Sequence, residues 1–161
     1  MTDPDTSTQQ PDTASSVMDP HPTVVKATDL IHSAIEHIMK HRYRHLPVVD
    51  NEGRYLGIFG VNCLLRLVLP KAAVMDRGLN NLSFIHETPG DLHDRLLEYE
   101  NEPVTTCMRT NIQAVYPDTP LVETLHQLYK TECCVPVVAP DSGKLLGMIS
   151  YFDVGRHVMD S

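Results

Sequence analysis

Two stretches decide how this chain folds: Leu46-Pro-Val-Val-Asp-Asn-Glu-Gly-Arg-Tyr-Leu-Gly-Ile-Phe59 and Val135-Pro-Val-Val-Ala-Pro-Asp-Ser-Gly-Lys-Leu-Leu-Gly-Met-Ile149. Each is an apolar run, a polar turn carrying one glycine, and a second apolar run, the pattern of two strands joined by a turn. The two are copies of one unit. Gly53-Arg-Tyr-Leu-Gly57 matches Gly143-Lys-Leu-Leu-Gly147 at a shift of 90 positions, which slips to 89 at the Pro-Val-Val runs. A fixed internal shift marks a repeated structural unit.

The copies extend outward from these cores. Met18-Asp-Pro-His-Pro-Thr-Val-Val25 corresponds to Met108-Arg-Thr-Asn-Ile-Gln-Ala-Val115. Between that segment and the Pro-Val-Val run each copy carries helical spacing. In the first it is Leu30, Ile31, Ala34, Ile35, Ile38 and Met39, with Asp29 as the expected N-cap. In the second it is Leu121, Val122, Leu125, Leu128 and Tyr129, behind Asp118-Thr-Pro120. Final helices are expected over Asn62–Val68 and Phe152–Met159. Each copy therefore reads β-α-β-β-α, an α/β unit. The domains are expected at 17–69 and 105–161, with residues 70–104 as a helical linker whose helix covers Asp91–Tyr99 and places Leu92, Leu96 and Leu97 on one side. Halves of this size bury too little surface to stand alone, so the two should pack on their sheets as one folding unit.

Composition narrows the function. The formal charge is −8, and residues 1–20 supply four of these charges through Asp3, Asp5, Asp12 and Asp19 without one Lys or Arg. Such a surface repels a polyphosphate backbone, so nucleic acid is not expected as a partner. Residues 1–16, rich in Pro, Thr, Ser, Gln and Asp, are expected to form a disordered tail. No apolar run approaches the roughly 20 residues of a membrane helix. The N-terminus has no signal-peptide pattern, and Cys63, Cys107, Cys133 and Cys134 do not make a disulfide framework, so a reducing cytoplasm is the expected compartment. Cys133-Cys134 reads as buried thiols rather than half a zinc site, because no second Cys pair accompanies it. His37, His41 and His45 share a four-residue spacing, but no acidic ligand is spaced with them; an exposed face accounts for them and no metal is assigned. No phosphate loop, nucleophile elbow or zinc-protease motif is present, and the chain is not expected to be an enzyme.

Val115–Leu121, then Pro136–Val138, then Gly143–Asp153 together resemble the repeat of CBS domains, and both copies carry these elements in order. The resemblance implies a pseudo-twofold pair of repeats, a Bateman module, with two clefts where adenosine nucleotides or related molecules bind. In Gly147-Met-Ile-Ser150-Tyr-Phe-Asp153 a strand runs directly into a helix. A carboxylate at Asp153 can accept from both ribose hydroxyls, while Ser150 and free N–H groups at the helix start can donate to phosphate. The same two residues also suit a plain N-cap. By the resemblance, Met148 joins this side, and the opposite repeat completes the cleft with Thr23, Val24 and Val25 of its first strand and with Tyr43, Arg44, His45 and Pro47. Arg42-Tyr-Arg-His45 is the most basic stretch of the chain, which favours Arg44 and His45 as phosphate contacts, although a solvated loop explains them equally. At the mirror position Gly60 and Cys63 stand where Ser or Thr and Asp belong, so ribose recognition is lost there; Asn62 is a partial substitute.

The expected function is ligand-dependent regulation without a cofactor, the ligand being AMP, ADP or ATP and the signal passing through a homodimer or partner interface. A regulated transporter or enzyme is the implied partner. The alternatives are a ligand-free dimeric scaffold in which residues 70–103 dock a partner, or a sensor of S-adenosylmethionine or a cyclic dinucleotide.

Overall fold

The computed structural model describes residues 12–74 and 81–161. The first repeat contains β1 (Val25–Lys26), α2 (Ile31–His41), β2 (His45–Val49), β3 (Tyr55–Gly60) and α3 (Val61–Val68), preceded by a one-turn helix α1 (Ala14–Val17). The connection carries α4 (Lys71–Val74) and α5 (Pro89–Leu97), then a 3-10 turn at Val104–Thr106. The second repeat holds α6 (Leu121–Thr131), β4 (Val135–Val138), β5 (Leu145–Ile149) and α7 (Tyr151–Met159). In the first sheet β1 runs parallel to β2 and β2 antiparallel to β3. In the second, β4 and β5 are antiparallel, and Val115 pairs in parallel with Val137 where β1 stands in the first.

The repeats are joined by an exchange of their leading segments. Asp19 pairs with Met148 on the edge of β5, and Arg109 with Ile58 on the edge of β3, each through two reciprocal backbone hydrogen bonds of 2.8–3.0 Å. Further upstream the exchange continues. The Ile31 N–H at the start of α2 donates to the Glu102 carbonyl, and the Leu121 N–H at the start of α6 donates to the Asp12 carbonyl. Helix starts leave such N–H groups without intrahelical partners, so each helix is completed by the other repeat's leader. The cores follow the same rule. Ala14 and Val17 pack with Leu128, Val135, Val137 and Ile149 of the second repeat, while Val104 packs with Ile31, Val48 and Phe59 of the first. A third cluster, Ile58, Ile112, Cys133, Cys134 and Met148, lies where the sheets meet.

The glycine in each Leu-Gly pair admits this crossing. A Cβ on Gly147 would lie 2.6 Å from the Met18 sulfur and 2.7 Å from the Asp19 carbonyl oxygen, and one on Gly57 would lie 2.6 Å from the Arg109 carbonyl oxygen. The two hairpin turns also touch, Tyr55 N–H donating to Gly143 O and Leu145 N–H to Gly53 O, with Gly53 at φ 81° and Gly143 at φ 74° as left-handed turns require.

Several expectations are corrected. Part of the tail expected over 1–16 lies outside the described residues, but residues 12–16 are docked: Ala14 is fully buried, with its N–H bonded to Thr119 O, and Ser15 N–H bonds to Pro117 O. On α6 the buried line is Thr124 and Leu128, whereas Val122 and Tyr129 are 80% and 77% exposed. Thr124 is accommodated because its hydroxyl donates to the Pro120 carbonyl. Asp29 does not cap α2; its carboxylate accepts from Lys26 N–H and shapes the turn before the helix. The linker helix begins at Pro89, two residues ahead of the expected start, because Thr88 and Asp91 form a capping box there. Arg95 of α5 grips both carboxylate oxygens of Glu87 and the Val68 carbonyl, fixing α5 to the end of α3.

A chain beginning at Val17 loses the bonds made by Asp12, Ala14 and Ser15, and at about 1 kcal/mol each its stability to urea should fall by about 3 kcal/mol; an unchanged midpoint would remove the leader from the fold. Gly147→Ala meets a backbone carbonyl that Met148 holds in place, and should cost ~2 kcal/mol. Gly155→Ala, with open space around it in α7, should instead gain ~0.5–1 kcal/mol.

Candidate ligand-binding site

The start of α7, the turn between α2 and β2, and the crossing segments enclose a cleft of about 760 Å³. Its position follows from local backbone chemistry. Arg42 ends α2 in the left-handed conformation (φ 57°), which turns the chain back so that Tyr43, Arg44 and His45 lead into β2. On the other side Ser150 directly follows β5 and caps α7. Ser150 N–H and Oγ–H both donate to Asp153 Oδ2 at 2.8 Å, and Asp153 N–H donates back to Ser150 Oγ at 3.3 Å. The capping interpretation of this pair is therefore realised. It occupies one carboxylate oxygen; Oδ1 of Asp153 accepts no hydrogen bond from the described residues, so the cap orients the carboxylate and leaves half of its acceptor capacity.

Of the residues singled out from sequence, Thr23, Tyr43, Arg44, His45, Pro47, Met148, Ser150 and Asp153 line this one cleft. Val24 and Val25 do not: Val24 faces solvent and Val25 belongs to the first core. Alternation along the extended segment puts Thr23 and Val25 on one side and Val24 on the other; Val25, paired with Val48 in β1, is covered by the first core, and Thr23, outside the strand, is left at the cleft. Thr23 Oγ1 and Tyr43 Oη share a hydrogen bond of 3.2 Å, and the Tyr43 ring stacks on His41 at a centroid distance of 5.5 Å, with His37 beside both. His37 and His41 thus pack behind Tyr43, and among the described residues no group of three His, Cys, Asp or Glu is arranged for a metal ion.

Sequence reasoning missed Arg109, Arg156, Tyr151, Phe152, Cys133 and Cys134, which also line the cleft. Arg156 stands three residues after Asp153 on α7, a spacing that places both on one helix face and was available to sequence reading. Arg109 arrives only through the crossing of the leaders. The charges are unequal. Arg42, Arg44, Arg109 and Arg156 line the cleft, and none of them joins an ion pair among the described residues, whereas Arg54 and Arg95 are each paired with carboxylates. Asp19, Glu132 and Asp153 are the acidic residues of the lining. Four guanidiniums without carboxylate partners concentrate positive charge at the cleft of an otherwise acidic chain.

At the mirror position Gly60 has a packing reason. A Cβ there would lie 2.5 Å from the Arg44 carbonyl oxygen and 2.9 Å from His45 Nδ1, so the loop that builds the cleft excludes a serine. Cys63 takes over the cap through its sulfur, which accepts from Gly60 N–H at 3.4 Å. A thiol in that place offers no carboxylate to a ribose.

A sequence model of the CBS domain matches residues 14–70 and 104–160. No match was found among curated proteins. Among solved structures, the CBS-pair protein CBSX2 from Arabidopsis thaliana superposes with a TM-score of 0.72 at 22% identity, over 94% of this chain and 96% of that one. CBSX2 in complex with AMP superposes with a TM-score of 0.69 at 22% identity, covering 92% and 97%. The CBS domain pair of protein MJ0100, in complex with 5′-methylthioadenosine and S-adenosyl-L-methionine, gives 0.62 at 18% identity, covering 94% and 98%.

Proposed function

The chain belongs to the CBS-domain family as a tandem pair of repeats, and from that premise we propose that it is a regulatory module whose cleft binds an adenine nucleotide of the AMP, ADP or ATP type. The observation that carries this reading is the pairing, in one cleft, of a capped carboxylate with a free oxygen and four unpaired arginines. The carboxylate suits a ribose diol, and the guanidiniums suit phosphate. Leu46, Pro47, Val61, Met148 and Ile149 supply apolar lining for a base. Related pairs hold AMP in one case and 5′-methylthioadenosine with S-adenosyl-L-methionine in another, so an adenosine moiety is the shared chemistry. The arginines favour a phosphorylated ligand over the sulfonium of S-adenosylmethionine, because like charges repel.

The reading gives the cleft a binding role and no bond-making step. Because both repeats line it, a ligand with different affinities for two arrangements of the repeats shifts the balance between them. The outlet for that signal is a dimer or partner face: Phe152, Val158 and Met159 of α7 are 73%, 66% and 83% exposed, an apolar surface that a second copy would cover.

Titration calorimetry with AMP, ADP, ATP, S-adenosylmethionine and a cyclic dinucleotide tests the reading. A nucleotide phosphate should bind most tightly, at about one site per chain. Asp153→Asn, which keeps a capping oxygen, should weaken it by roughly 1.5–3 kcal/mol, the range for hydrogen bonds to charged groups. Cys63→Ala should leave affinity unchanged. A panel without heat or thermal shift would support the scaffold alternative, and full affinity in Asp153→Asn would reduce Asp153 to a cap.

A further inference from the structure

Cys133 and Cys134 stand between α6 and β4, their sulfurs 3.3 Å apart. Neighbouring side chains on an extended strand point to opposite faces. Here Glu132, left-handed at φ 53°, turns the chain at the end of α6, and the two residues before β4 bring both sulfurs together. Both line the cleft, and each is only 3% exposed. A buried thiol is ordinarily inert because nothing stabilises its thiolate. Cys133 differs: its thiol is held well below the ordinary value, first by the hydrogen bond from Cys134 and then by His45 and Arg109, against the opposing effect of burial. Cys134 is pushed up correspondingly, by the same hydrogen bond and by burial. The pair thus contains a nucleophile and a protonated neighbour within reach of it. Cys63 is also held low, first by the hydrogen bond from Cys107, but its sulfur accepts from the Gly60 N–H and it does not line the cleft.

We propose that Cys133 and Cys134 form a modification site for hydroperoxides, which convert the two thiols into a vicinal disulfide in the wall of the cleft. The Cys133 thiolate attacks the peroxide; its S–O bond forms as the O–O bond breaks, giving a sulfenic acid and expelling hydroxide or an alkoxide, which takes a proton from solvent to leave as water or an alcohol. The Cys134 sulfur then attacks the Cys133 sulfur, the S–S bond forms, and the hydroxyl leaves as water with the Cys134 proton. Two thiols are oxidised by two electrons and one peroxide is reduced. A dithiol reductant reverses the change.

The test treats the full chain with hydrogen peroxide, blocks remaining thiols, and maps the tryptic peptide Thr131–Lys144, which contains both cysteines. The expected product has lost two hydrogens, is restored by dithiothreitol, and appears at a rate proportional to peroxide concentration. Cys134→Ser should stop at a sulfenic acid that dimedone traps. An unchanged peptide, a sulfinic acid without disulfide, or a rate independent of peroxide, which would mean that the fold must open first, overturns the proposal. A second arm rests on the nucleotide reading. AMP at ten times its Kd should slow the reaction roughly tenfold if only the empty cleft reacts. Disulfide formation at the same rate with and without AMP leaves the thiol site standing and counts against nucleotide binding in the cleft.

Discussion

The structure depends on the close backbone crossing of each leading segment over the other repeat's second hairpin strand. At Gly57 and Gly147 two segments of the chain approach so tightly that a single added carbon would overlap a carbonyl oxygen. This approach permits the reciprocal hydrogen bonds of Asp19 with Met148 and of Arg109 with Ile58. It also carries Ala14 and Val104 into cores that are not their own. Neither repeat has a complete core or fully satisfied helix starts without the other, so cooperativity between them is built into the backbone rather than added by a surface contact.

The cleft is a consequence of the same crossing. Leaders that cross bring Asp19 and Arg109 beside the turn that follows α2 and the start of α7. Elements that share no local sequence relation thereby converge on one volume. Arginine is the residue that such convergence uses most effectively, since its charge persists at every working pH and its planar fork matches phosphate oxygens. The acidic surface elsewhere keeps this a local feature, and a small anionic ligand suits it better than a polyanion.

The two halves differ where their last helices begin. Ser150 and Asp153 in the second repeat give a strong cap with a spare acceptor, while Gly60 and Cys63 in the first give a weak cap with none. The cause is steric, because the loop at Arg44 and His45 rests against Gly60. One half supplies the carboxylate and the other supplies the basic loop, whose contact with Gly60 leaves no room for a serine there.

The sequence alone determined the repeat and its β-α-β-β-α order, and eight of the ten residues it nominated as ligand contacts line the cleft, because the pattern of Pro-Val-Val runs, turn glycines and a Ser-x-x-Asp helix start is local and periodic. It also held an unread signal: Asp12-Thr-Ala-Ser-Ser-Val-Met18 parallels Glu102-Pro-Val-Thr-Thr-Cys-Met108 at the same shift of 90, which marks the leader as part of each unit. Tertiary structure decided the rest. That Val25 is core while Thr23 faces the cleft, that Thr124 is buried while Val122 and Tyr129 are not, and that Arg109 pairs with Ile58 across the repeats and so reaches the cleft all depend on which surfaces are covered. Periodicity reports that a side chain is apolar or that a turn is polar; only packing between distant segments determines what each one touches, since that is settled by the exchange of leaders, which spans 51 residues of chain between Ile58 and Arg109 and 129 between Asp19 and Met148.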